Sequence, residues 1–296
     1  MPLTTIYGDG NGTRVIGDVS TGLFPQPLHP NVETLLAQLS ANSFNATRAQ
    51  ADALNNLVWS LVGIGIWSKM KIVYPMIGGT AATHKFNLVD PRDADAAYRL
   101  TFSGTWTHSS NGAKGDGSTA WADTFFVPNT SLTTSSGHIS YYSRLQSQET
   151  NNFEWGCQNN PQTTIVGMAI SRTTPAPGTS SFRFGPTSST AGSSPTINLA
   201  SSQGLFLGNQ NGSGINDRNL YRNGIKGTTG QGAGSTALPA FKLALNALNI
   251  TNTSRSFYSP KQCAFASVGD GLTDLEVQNF YTIVQAYQTA LNRQVV

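Results

Sequence analysis

Tyr258–Val296 reads YSPKQCAFASVGDGLTDLEVQNFYTIVQAYQTALNRQVV. Cys263-Ala264-Phe265-Ala266-Ser267-Val268 is an apolar run of strand length, and Gly269-Asp270-Gly271 breaks it. Thr273 then precedes Glu276 at capping-box spacing: the Thr hydroxyl accepts from the Glu amide while the Glu carboxylate accepts from the Thr amide. Behind the cap, Val277, Phe280, Tyr281, Val284, Tyr287 and Leu291 recur at helical spacing. The spacing predicts a buried strand, a Gly turn and one amphipathic helix over 273–292. In a polar, β-rich chain, such a helix needs an open end or face of a sheet sandwich to cover.

Between Gly65 and that helix the pattern is one of short strands. Met70–Ile77, Ala97–Phe102, Thr124–Val127, His138–Arg144, Phe153–Gly156, Thr164–Ile170, Ser181–Phe184, Leu205–Gly208, Phe241–Ile250 and Gln262–Val268 are the segments. Turn-rich loops divide them at the spacing of a β sandwich. Leu220-Tyr221-Arg222-Asn223-Gly224-Ile225 carries Asn-Gly between apolar residues, a strong hairpin signal because both turn residues tolerate positive φ. Upstream, Val32, Leu35, Leu36 and Leu39 predict a short helix, and Leu54, Leu57, Val58 and Leu61 predict a second behind a Thr47/Gln50 capping box. Residues 1–44 read as an extended arm, broken by Gly and Pro and dotted with apolar residues that need a surface: Ile6, Tyr7, Val15, Ile16, Leu23 and Phe24. Residues 45–67 read as a helical connector and 68–296 as the sandwich.

Composition narrows the function. Charged residues make up 11% of the 296, against roughly 25% in soluble domains, and the net charge is +3. No Lys/Arg cluster exists, so no nucleic-acid footprint is expected. The most apolar run, Leu57–Ile66, falls short of the ~20 residues of a membrane span, and the N-terminal sequence has no secretory pattern. Cys157 and Cys263 are expected either to pair across one sandwich or to stay as buried thiols. Glycosidase chemistry needs two carboxylates flanking the scissile bond, yet Glu149 and Glu154 are the only glutamates between the second helix and the last. No Glu-x-Asp-x-x-Glu triplet, Ser elbow, phosphate loop or metal spacing of His84, His108 and His138 is present, so no catalytic residue is expected.

The closing pattern of strand, GDGLTDLE and helix resembles the end of laminin-G-like and concanavalin-A-like jelly rolls. More widely, GIWSKMKIVYP, GGTAATHKFNL, AYRLTFSGTWTHSSNGAKG, WADT, HISYYSR and LYRNG, together with AFASVGDGLTDLE and LNRQVV, resemble a domain that recurs in phage virion proteins, particularly of phages of Bacteroidetes-type hosts. The resemblance implies a mainly β jelly-roll sandwich with an N-terminal arm, a helical connector and a C-terminal helix. It implies a virion protein held to capsid or tail proteins by the arm residues above, displaying its sandwich outward, with homo-oligomerisation, a trimer for example, as a further expectation. Some laminin-G-like domains hold calcium at a sheet rim, and Asp93 with Asp95, or Asp116 with Asp123, would supply the oxygen ligands. The composition suits adhesion to host-surface glycans. Trp121, Trp106, Trp155 and Tyr142, with Tyr141 beside it, offer flat apolar faces amid Asn, Gln and Ser donors. The alternatives are a decoration protein with no ligand and a polysaccharide depolymerase.

Overall fold

The computed structural model describes residues 26–147, 152–170, 178–186, 194–214, 216–227 and 236–295. Two antiparallel sheets pack face to face. In the first, the strands run in the order Ile225–Lys226, Arg218–Arg222, Gly204–Asn211, Ser136–Ser143, Gln262–Gly269, Gly112–Gly115 and Trp106–Ser109. Gln262–Gly269 is its central strand. One edge pairs with Ser136–Ser143, while the other is shared by Gly112–Gly115 near its start and Met70–Tyr74 near its end. The second sheet runs Thr196–Leu199, Gly178–Pro186, Thr164–Ile170, Trp155–Gln158, Ala244–Leu245, Trp121–Asp123 and Thr101–Ser103. A small hairpin of Leu248–Asn249 and Arg255–Ser256 branches from it.

Strand alternation divides the first sheet between two cores. Ile139, Tyr141, Cys263, Ala266, Val268 and Phe206 face the second sheet, where Trp155, Val166, Met168, Phe182 and Phe184 meet them. Tyr142, Phe265, Leu205, Leu207 and Tyr221 face the other way, into a layer of helices. The helices are α1 (Pro30–Ala41), α2 (Arg48–Gly63), the single turns α3 (Ala81–His84) and α4 (Pro128–Ser131), and α5 (Asp274–Ala290). Both expected long capping boxes form: Thr47 with Gln50 starts α2, and Thr273 with Glu276 starts α5. The fold is the expected mainly β sandwich with a C-terminal helix.

The connector and part of the arm are different from expectation. Val32, Leu35 and Leu39 of α1 and Leu54, Leu57, Val58 and Leu61 of α2 are sealed in the same core as Val277, Phe280 and Val284 of α5. His29 caps α1, and Pro27 accepts from the Trp59 indole at 2.8 Å. Residues 26–67 are therefore part of the body: leucine faces of this width bury more apolar surface against a sheet than in a linker. The arm residues Ile6, Tyr7, Val15, Ile16, Leu23 and Phe24 lie outside the described residues.

Three strand expectations also shift. Ala97–Phe102 yields strand only at Thr101–Ser103, because Tyr98 turns left-handed at φ 59°. Thr124–Val127 is displaced to Trp121–Asp123, with Phe125 at φ 57°. Phe241–Ile250 is cut in two at Asn246, φ 60°. The Asn-Gly hairpin forms as read, with Asn223 at φ 52° and Gly224 at φ 74°. Cys157 and Cys263, on opposite sheets, are free and buried, and desolvation pushes both thiols well above their ordinary range.

His138 is walled into the first sheet beneath Phe280 of α5. Its Nδ1 lies 2.7 Å from the Asp270 carbonyl, to which it donates, and its Nε2 accepts from Ser267 at 3.2 Å. Burial lowers its pKa from the usual 6.5 to about 4, against the opposing pull of the Asp270 contact. A depressed histidine is neutral in the fold while the unfolded chain still takes up a proton. Stability is therefore whole above pH 6.5 and is lost as pH falls towards about 4. That gap is worth about 3 kcal/mol from His138 alone. Urea midpoints measured between pH 7 and pH 4 should fall accordingly, and a His138→Gln variant should show a visibly shallower fall. A wild-type midpoint that stays level across this range would refute it.

Candidate functional site

The helices occupy the outer face of the first sheet; the outer face of the second lies away from them and is covered over its middle strands, leaving partly exposed side chains towards one side. At its edge, Ala122 points into the inter-sheet core. Its neighbours Trp121 and Asp123 therefore project outward on the same face. The hairpin Leu248–Asn249/Arg255–Ser256 folds over this face, and the Arg255 guanidinium lies 4.0 Å from the Trp121 ring centroid. Asp123 Oδ2 takes Lys242 Nζ at 3.2 Å, and its Oδ1 accepts the Phe125 amide at 2.8 Å. Lys242 Nζ also sits 4.3 Å from the centre of the Phe125 ring. The Lys242 amide donates to Asn252 Oδ1 (3.1 Å) and the Asn249 side chain donates to the Lys242 carbonyl (2.6 Å), which ties the hairpin to the Lys242 segment.

The result is a half-exposed plate of indole, phenyl and guanidinium with one ammonium and one carboxylate beside it. Desolvation lowers the Arg255 pKa, with Asp123 and Tyr258 pulling the other way. A guanidinium remains charged under such a shift. Chemically the plate presents apolar surface for sugar C–H groups and donors for ligand oxygens, while Asp123, buried and bonded at both oxygens, holds Lys242 and the Phe125 turn in place.

Of the aromatics expected to bind glycans, Trp121 takes such a position. Trp106 is half-buried at the sheet corner, edge-on to Phe102 at 5.1 Å and stacked with His108, with its indole N–H given to Ser103. Trp155 and Tyr142 present no face to solvent. Trp155 fills the inter-sheet core and donates to the Ser140 carbonyl at 2.8 Å, and Tyr142 is under α5, donating to Gln285 at 2.7 Å. Their ring area stabilises the core more than a surface could use it.

The expected calcium ligands are already engaged. Asp93 holds Lys85 at 2.6 Å and Arg99 at 3.0 Å, and Asp95 holds Arg99 at 2.9 Å. Asp116 accepts from Ser118, Thr119 and Ala120 within its own turn. Burial alone would raise its pKa, but those bonds, Thr119 foremost, hold it well below the usual carboxylate range. Among the described residues no group of three or more His, Cys, Asp or Glu side chains could hold a metal ion.

The sequence reading missed Arg255, Lys242 and Phe125. One signal was there: Arg255 is the only charged residue between Lys242 and Lys261. It also treated the histidines as separate, whereas His84 and His108 face each other with Nδ1 atoms 3.0 Å apart. The Gly79 amide donates to His84 Nε2 at 3.1 Å, so neutral His84 carries its proton on Nδ1 and gives it to His108. A metal on His84 Nδ1 would need a proton on Nε2, facing that amide, so the pair reads as a hydrogen bond and not as a metal site.

No protein-family model matches the sequence, and no curated protein matches it. Among solved structures, a mutant Trypanosoma rangeli sialidase displaying trans-sialidase activity is similar, with TM-score 0.50 and 9% identity over 81% of this chain. The chain spans 38% of that protein's length. Domain 4 of a GH43 extracellular arabinanase from Geobacillus stearothermophilus, in complex with arabinotriose, aligns with TM-score 0.42 and 13% identity over 72% of this chain and 98% of that one. A botulinum neurotoxin type C structure, concerned with interaction with two ganglioside molecules, aligns with TM-score 0.45 and 13% identity over 64% of this chain and 47% of that one. At such identity the likeness is one of β-sandwich fold alone.

Proposed function

We propose that this chain is a non-enzymatic, glycan-binding β-sandwich protein of a phage particle. The observation that carries the binding half is the Trp121–Arg255–Asp123–Lys242 plate on the outer side of the second sheet, away from the helices. Fold alone does not assign a function; a surface that matches a ligand's chemistry supports one. Glu154 is fully buried and hydrogen-bonded to Asn152, Ser259 and Ile170, which makes it a structural group and supports the non-enzymatic reading. The reading needs no cofactor, so chelation should leave binding unchanged. The virion half rests on the motif resemblance, from Gly65-Ile66-Trp67 through Leu291-Asn292-Arg293, with residues 1–25 as the attachment to capsid or tail.

A glycan array probed with the full chain tests the binding half. Trp121→Ala should weaken whatever saccharide binds by roughly tenfold or more, as removal of a central aromatic anchor does. Trp106→Ala should weaken it less, because Trp106 is spent on Phe102 and Ser103. An array with no binder, or a Trp121→Ala variant that binds as before, would leave a decoration role in its place. Mass spectrometry of purified particles tests the virion half: the chain should be present in fixed stoichiometry to the capsid or tail proteins.

A further inference from the structure

We infer that the plate selects saccharides bearing a carboxylate, with Arg255 as the group that reads it. This rests on the glycan-binding reading above and narrows it. Most arginines near an acid in this protein answer it: Arg48 reaches Asp52, Arg92 reaches Asp90, and Arg99 reaches both Asp93 and Asp95. Arg255 answers none. Its Nε is buried without a hydrogen-bond partner, and Nη1 makes a single long contact of 3.4 Å to the Ser254 carbonyl. Asp123, the acid whose field it feels, is committed to Lys242 and to the Phe125 amide. Two cations thus share one carboxylate, and the local charge is positive.

Trp121 adds the geometry. A guanidinium seated 4.0 Å over an indole ring is restrained there, which removes part of the rotamer freedom that a flexible cation loses on binding. Among the described residues Nη2 has no acceptor, and it is not among the buried unpartnered atoms, so the fork keeps donors for a ligand. A planar fork of N–H groups matches the two oxygens of a carboxylate, and such charge-assisted pairs are about twice as strong as neutral hydrogen bonds. Lys242 supplies a second, softer attraction from the sheet side. A uronic acid or another acidic sugar fits this chemistry; a neutral hexose leaves the fork unanswered.

The test uses the full chain and matched pairs of oligosaccharides that differ at one group: oligogalacturonate and oligogalactose, oligoglucuronate and oligoglucose, with the methyl ester and the 6-sulfate of each. Titration calorimetry should show at least one acid bound roughly tenfold or more tighter than its neutral partner and its methyl ester. Arg255→Gln should erase that preference while leaving residual neutral binding, and Arg255→Lys should restore only part of it. Thermal melts of both variants would report whether they fold. If acid and neutral sugars bind alike, the carboxylate inference fails and the glycan-binding reading stands. If the sulfate binds as well as the carboxylate, charge alone is read and the fork is not. If no saccharide of either kind binds, both fall together.

Discussion

Replacing Arg293 by methionine should cost the fold about 4 kcal/mol. Arg293 is wholly enclosed, yet among the described residues no carboxylate pairs with its charge; a cage of carbonyls does. Nη2 donates to Pro75 and Ala264, each at 2.7 Å, Nη1 to Met76 at 2.7 Å, and Nε to Gln288 at 2.6 Å. Its guanidinium also sits 5.3 Å from the centre of the Tyr287 ring. Methionine keeps much of the volume but withdraws donors from four backbone carbonyls, Ser110 among them at 3.3 Å, and from an amide oxygen; Pro75 keeps the Tyr287 hydroxyl and Ala264 the Gln288 amide, while the others lose a partner at ~1–3 kcal/mol each, offset in part by relief from burying a charge. The melting temperature should drop by roughly 10 °C. Arg293→Lys should fall between, since one ammonium cannot span the cage. A loss below about 1 kcal/mol would mean that the carbonyls find other donors.

The second large effect is expected at Lys261 and Glu154. Both side chains are fully buried, with Nζ 3.9 Å from Oε1. Glu154 also accepts from Asn152, from the Ile170 amide and from Ser259 at 2.8 Å, while Lys261 donates to Ser147 at 3.1 Å. Beside them, Asn246 uses its left-handed turn to aim its amide at the carbonyls of Ser259 and Lys261, and accepts from Tyr141 at 3.0 Å. Lys261→Met alone removes a buried ammonium 3.9 Å from a buried carboxylate and should cost about 3–5 kcal/mol. Combining it with Glu154→Leu should cost clearly less than the two single losses added, because the second change removes the buried carboxylate as well. Denaturant unfolding of the two singles and the double closes the cycle. Additive losses would show that the pair is not coupled.

How far the sequence could be read depends on the kind of signal. Capping boxes are local, and Thr47/Gln50 and Thr273/Glu276 place α2 and α5 to within a residue or two. Asn223-Gly224 is local as well. The strands of Thr164–Ile170 and Gln262–Gly269 show in their apolar runs. What failed was non-local. Ala97–Phe102 alternates like a strand, but the Tyr74 hydroxyl bonds the Tyr98 carbonyl and Leu100 dives into the core, so tertiary partners hold a turn. Trp121 and Trp155 are indistinguishable by composition; only register against Ser103 and Met168 decides which one faces out. The helical pair α1/α2 looked like a linker because its other half, α5, lies more than two hundred residues on. The plate itself assembles residues from three separate segments, and Arg255 has no meaning as a ligand group until the hairpin lays it on Trp121.

The Arg293 cage joins residues 218 apart, and the Lys69–Glu276 ion pair joins residues 207 apart. The strand Met70–Tyr74 has one partner, Gln262–Gly269. Contacts this distant slow folding, because a long loop must close before any of them forms. During synthesis, the apolar faces of α2 and Met70–Tyr74 emerge some two hundred residues before Gln262–Gly269 and α5, which complete their cover. Such waiting segments are where newly made chains stick to one another. The yield of this protein should therefore depend more on synthesis rate and temperature than its final stability suggests.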